Sequence, residues 1–162
     1  MSDTDQKNIM IKVNRILVPT DFSDIANEAL NYAVELAQIQ RAAVDIVHVF
    51  EEPTFPSFYG AGALMLYGQV PDIRKQAGEA LEKLVQPHRK NSTISIETHL
   101  LDGRPADEIC AFAKESDADL IVIPTYGLTG IRHLILGSVA ERVVRQAYCT
   151  VVIYKNKRST ES

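Results

Sequence analysis

At 162 residues with a formal net charge of −4, the chain is sized for one domain, with room to bury a core without disulfide or metal staples. Its make-up is that of an ordinary globular protein: 46% hydrophobic, 23% charged and 7% aromatic. The acidic balance argues against non-specific binding to nucleic acid or an anionic membrane, since both draw on a cationic face.

Arg15-Ile-Leu-Val-Pro19 is a short apolar run closed by a proline and predicts a buried strand. From Asp24 to Gln40, Ala26, Ala29, Leu30, Ala33, Val34 and Ala37 recur at three- and four-residue steps, the period of an amphipathic helix. Val44 to Phe50 is β-branched and mostly apolar, a second strand. Glu51 to Val70 mixes aromatics with Pro and Gly and reads as a long connection folded over something. A helix is expected from about Asp72 to Gln86, stopped by Pro87. Thr93 to Leu100 alternates polar and apolar, as a half-exposed edge strand does. Asp102-Gly-Arg-Pro105 turns into a third helix with proline at its first position. Asp119 to Pro124 is the most apolar strand. A glycine-spaced segment leads to a helix from Ser138 to about Ala147 and a last strand, Thr150 to Tyr154.

Strands alternating with helices in this way predict one α/β domain over residues 9–155, a five-stranded parallel sheet with helices on both faces. The two ends, 1–8 and 156–162, are expected to be tails. Met1 to Asn8 is polar with no hydrophobic signal region, and Phe58 to Tyr67, the longest apolar stretch, is broken by Gly60 and Gly62. A soluble, cytoplasmic protein is the expectation. Cys110 and Cys149 lie far apart with no zinc-ligand spacing, so neither a disulfide framework nor a metal site is suggested.

In an open α/β sheet, ligands bind beyond the carboxyl ends of the strands where strand order reverses. Two such ends carry unusual residues here. After the fourth strand, Gly127 can bring its backbone close to a ligand, and Gly137-Ser138 opens a helix whose free N–H groups favour an anion. Ser138-Val-Ala-Glu141 is equally a capping box, which accounts for Ser138 with no ligand at all. After the first strand, Asp21 either accepts a hydrogen bond from an adenine amino group or, like Ser23, caps the first helix.

Ile16-Leu-Val-Pro-Thr-Asp-Phe-Ser23, Val47-His-Val49, Gly103-Arg-Pro-Ala-Asp-Glu-Ile109, Ala118-Asp-Leu-Ile-Val122 and Gly127…Leu136-Gly-Ser-Val-Ala-Glu141 resemble the universal stress protein family, in order along nearly the whole chain. The resemblance implies a Rossmann-like fold with strand order 3-2-1-4-5, a homodimer, and binding of ATP, with or without Mg²⁺. The ATP-binding members carry G-x2-G-x9-G-[ST]; here the second and third glycines are Gly127 and Gly137 and the hydroxyl residue is Ser138, but Pro124 stands at the first. Proline has no N–H to donate and its ring takes up space. By the same carry-over Pro19, Thr20 and Asp21 line the adenine side, Val49 offers backbone contacts to the base, and Ile123, Thr125 and Val139 complete the pocket.

Other marked residues carry weaker signals. Arg132 and His133 lie in the spacer, His48 in a buried strand, and His88 and His99 show no partners at ligand spacing. Cys149 reads as structural. Phe55, Phe58, Tyr59 and Tyr67 suit either a flap or a dimer contact. With no Gly-Lys-Ser/Thr phosphate loop and no His–carboxylate pair arranged for acid–base work, binding is expected rather than catalysis beyond slow ATP hydrolysis. The lone Asp21 also argues against a phosphoacceptor receiver domain, which needs an acidic pair. The favoured expectation is an ATP-binding stress-response module with unnamed protein partners, a homodimer through Thr150 to Tyr154. The rival is a dimeric interaction scaffold whose nucleotide site has degenerated, and Pro124 is its evidence.

Overall fold

The computed structural model describes residues 12–51, 61–127 and 136–156, with the backbone alone over 61–68. Phe55, Phe58, Tyr59, Arg132, His133 and the side chain of Tyr67 lie outside the described residues. In chain order the elements are β1 (Arg15–Pro19), α1 (Asp24–Gln40), β2 (Ala43–Phe50), α2 (Ala61–Lys90), β3 (Ile96–Asp102), α3 (Pro105–Glu115), β4 (Leu120–Pro124), α4 (Ser138–Gln146) and β5 (Thr150–Tyr154). The strands form one parallel sheet in the order β3-β2-β1-β4-β5, as expected.

Alternation along the strands divides the core between two faces. Ile16, Val18, Val44, Ile46, Leu120 and Val122 pack with Ala29, Leu30, Ala33 and Val34 of α1 and with Leu81 and Val85 of α2. Leu17, Val47, Ile121 and Ile123 face the other way, onto Ala106, Ile109 and Ala113 of α3 and Ala140 and Val143 of α4. Each large aliphatic side chain taken fully out of water contributes roughly 1.5–3 kcal/mol before the entropy of ordering it. No helix among the described residues is long and apolar enough to cross a membrane.

Three elements depart from the sequence reading in a boundary or a cap. α2 runs from Ala61 to Lys90 with Pro71 and Pro87 inside it, so part of the expected connection is helical and Pro87 does not end the helix. A proline forfeits one backbone bond, and the neighbouring bonds can carry the helix past it. The last turn of α2 is further held by the guanidinium of Arg89, whose Nε donates to the Ile96 carbonyl at 2.9 Å and whose Nη1 pairs with Glu82 at 2.7 Å. Among the described side chains of α2, Leu81 and Val85 in its second half are covered, whereas Ile73 is exposed. β3 starts at Ile96 rather than Thr93, because the Ser92 hydroxyl takes the Ile94 N–H at 3.2 Å and folds the approach into a turn. α4 begins as expected at Ser138 but with Gly137, not Ser138, in the capping position.

Candidate functional site

At the carboxyl ends of β1 and β4, where the order of the strands reverses, the surface opens into a cavity of about 320 Å³. Pro19, Thr20 and Asp21 enter it from β1, Val49 from β2, Ile123, Pro124 and Gly127 from the end of β4, and Gly137, Ser138 and Val139 from the start of α4. Thr125 lies beside the cavity without lining it. Its N–H donates to the Tyr154 carbonyl at 2.9 Å and its own carbonyl accepts the Gly137 N–H at 2.6 Å. The role of Thr125 is thus to tie the start of α4 to the β4–β5 ladder.

Sequence reasoning missed Val47, Pro105, Ile109, Tyr126 and Ala140, which also line the cavity. Val47 could have been found from period two, since it shares a face with Val49. Pro105 and Ile109 are one turn apart on α3, and only the fold brings them here.

The turn after β1 excludes Asp21 as the cap of α1. Ser23 is the N-cap of α1, with its side chain accepting the Ala26 N–H at 3.3 Å. Asp21 is not the cap; its Oδ1 accepts the Ser23 N–H at 3.1 Å and the residue lines the cavity. Phe22 between them adopts φ +66°, unusual for a bulky side chain. His48 holds this turn in place. Its Nδ1–H donates to the Thr20 carbonyl at 2.8 Å, and its ring lies 4.4 Å from that of Phe22. The backbone of Gly127 then passes so close to Asp21 that a Cβ there would meet Oδ2 at 2.1 Å. Glycine at 127 therefore serves close approach to the carboxylate.

The start of α4 excludes Ser138 as its cap. Gly137 is extended at φ −73°, ψ 156° and no side chain caps the helix. Ser138 is thus the first residue of the helix, and the expected capping box does not form. Glu141, one position too far along for a box, pairs with Arg145 at 3.0 Å instead. The first intrahelical bond runs from the Glu141 N–H to the Gly137 carbonyl. Hence the N–H groups of Ser138, Val139 and Ala140 begin the helix at the cavity wall with no side-chain acceptor among the described residues, where the helix dipole favours negative charge. The mix of apolar walls and a few convergent polar groups is that of a small-ligand site.

A sequence profile of the universal stress protein family matches residues 12–155. The chain belongs to that family. Among curated universal stress proteins, MJ0531 of Methanocaldococcus jannaschii is 35% identical over 144 residues, which are 89% of this chain and 83% of that one. Among solved structures, the universal stress protein UspA of Lactobacillus plantarum has a TM-score of 0.79 at 26% identity, covering 90% of this chain and 100% of that one. A universal stress protein of Archaeoglobus fulgidus, solved in complex with dAMP, has a TM-score of 0.63 at 31% identity, covering 90% of this chain and 100% of that one.

Several other titratable groups of this universal stress protein sit apart from the cavity. Cys110 and Cys149 are both free and partly buried, and burial pushes both thiols up, away from the reactive thiolate. His99 corrects the sequence reading, which gave it no partner. Its Nε2 lies 2.9 Å from Oδ1 of Asp45, a carboxylate only 1% exposed, whose Oδ2 takes the Arg15 guanidinium at 2.6 Å. Glu97 stands close enough for these groups to be read as a metal cluster. The buried carboxylate, however, is already divided between this chain's own cation and imidazole. Only the strand register, which pairs Asp45 with Glu97 and Val47 with His99, reveals this cluster.

Proposed function

We propose that the cavity holds an adenine nucleotide, ATP with or without Mg²⁺, and that the protein acts as a nucleotide-dependent regulatory or interaction module in a stress response. The carrying observation is the start of α4, whose uncapped N–H groups and the Ser138 hydroxyl converge on the cavity as an anion site. Phosphates lie there, with Gly127 and Gly137 giving room for close approach. The base lies toward Pro19, Thr20, Asp21 and Val49, with Asp21 accepting from the adenine amino group. Ile123 and Val139 add apolar contact, Pro124 borders the phosphates as a wall without a donor, and Thr125 holds Gly137. The dAMP complex of the Archaeoglobus relative supports this reading.

Asp21 supplies the test of base recognition. The 6-oxo group of ITP presents an acceptor where ATP presents a donor, so the intact protein should prefer ATP by about tenfold or more. Asp21→Ala should weaken ATP by about tenfold and erase that preference, as read by calorimetric titration. An unchanged ATP/ITP ratio in the variant would move the base elsewhere. Pro124 favours the second reading, a scaffold with a degenerate site, and that reading requires the intact chain to bind neither nucleotide.

The assembly we propose is a homodimer through β5. This strand stands at one end of the sheet order, and its outer row of backbone groups is a template for a second strand. Antiparallel pairing of Thr150–Tyr154 with its own copy about a twofold axis closes the edge. Light scattering at micromolar protein should give twice the chain mass; the mass of a single chain would contradict the pairing.

A further inference from the structure

The α1 face of the sheet carries a second cleft, of about 390 Å³, lined by Glu28, Asn31, Tyr32, Glu35, Tyr154 and Asn156. Helical spacing explains the share of α1, because residues three, four and seven apart stack into one stripe. Tyr32 is 42% exposed rather than packed into the core, and its ring centroid lies 5.8 Å from that of Tyr154, tilted by 45°. Glu28 is fixed by two neutral donors, the Tyr154 hydroxyl at 3.2 Å and the Asn156 amide at 2.9 Å. These bonds orient the carboxylate without cancelling its charge. Glu35 adds a second negative charge two turns along, and among the described residues no Lys or Arg lines the cleft. Burial pushes the Tyr154 phenol up, as do its hydrogen bond to Glu28 and the charges of Glu28 and Glu35, so both carboxylates act on one point.

We propose that this cleft is a binding site for an alkylammonium or guanidinium cation, held between the Tyr32 and Tyr154 rings and the carboxylates of Glu28 and Glu35. Ring faces attract such cations through their quadrupole, and the carboxylates supply the counter-charge. A compact, strongly hydrated metal ion gains little from the rings. Two sources share this chemistry: a free polyamine, and a Lys or Arg side chain of another protein. They differ in reach, because seven residues of helix place the two carboxylates roughly 10 Å apart. One linear polyamine spans both, whereas a single side chain engages one.

The test is a calorimetric titration of the full chain at low salt with spermidine and with N-acetyl-arginine amide, repeated with Mg²⁺ alone. The result expected is saturable binding of both organic cations, with Glu28→Gln and Tyr32→Leu each weakening it about five- to tenfold. Tyr32 and Glu35 are exposed and Glu28 is half-buried on α1, and thermal melts confirm that the variants stay folded. Glu35→Gln should weaken spermidine more than the arginine probe if the occupant is a polyamine; equal weakening assigns the cleft to a protein side chain. Absence of saturable binding up to about 10 mM would overturn the proposal. So would Mg²⁺ binding as tightly as either organic cation with Tyr32→Leu having no effect.

Discussion

Gly137→Val should abolish ATP binding, a loss of at least about a hundredfold in affinity by calorimetric titration. A Cβ at 137 would stand 3.2 Å from the Thr125 carbonyl oxygen and 3.3 Å from the Tyr126 Cα. Both obstacles are backbone, so neither can turn aside as a flexible side chain would. Two further methyls force the first turn of α4 away from β4 and break the 2.6 Å bond that seats Gly137 on Thr125. The N–H groups then no longer converge where phosphate oxygens sit. Overpacking of this kind costs about 1–3 kcal/mol of stability, so a parallel thermal melt must show a folded variant. A folded Gly137→Val that binds ATP like the parent would remove the start of α4 from the phosphate site.

The largest effect on stability is expected at Asp45. Asp45→Ala should cost about 3 kcal/mol in unfolding free energy, read as a fall in denaturant midpoint at unchanged slope. The carboxylate is 1% exposed and bonds Arg15 at 2.6 Å and His99 at 2.9 Å. Removing it strands both partners. The Arg15 side chain is 38% exposed and can turn to water, which holds the cost to the lower end for a broken buried pair. His99 has less freedom, with its ring 4.5 Å from that of Phe112. Asp45→Leu should be milder than Asp45→Ala, since it fills the space. A loss below about 1 kcal/mol for Asp45→Ala would show that the pairing contributes little beyond its geometry.

The fold was largely legible because its strands and helices keep their periods. Apolar runs at β1, β2 and β4 and the three- and four-residue steps of α1 identify elements that pack on both faces. Prolines were the misleading signal: Pro71 and Pro87 look like boundaries, yet tertiary contacts at Leu81, Val85 and Arg89 carry α2 through the second of them. At the site, the residues that come from the two strand ends were legible as motifs. Whether Ser138 serves as a cap was not, because Ser-Val-Ala-Glu fits a capping box as well as a ligand site. Gly137 decides it through its bond to Thr125, a contact across the chain that spacing cannot show. Asp45 and His99 were hidden for the same reason: they meet only through strand register. The α1 cleft joins residues more than a hundred positions apart, and nothing local to Glu28 marks its tie to Tyr154.

Titration of ATP into the intact 162-residue chain tests most directly whether the uncapped helix start beside Gly127 and Gly137 is a phosphate site despite Pro124. One nucleotide should bind per chain with a Kd below about 1 mM, and Gly137→Val should remove the signal. A flat titration at millimolar ATP, from folded protein shown to carry no retained nucleotide after denaturation, would contradict the nucleotide reading and leave the interaction scaffold in its place.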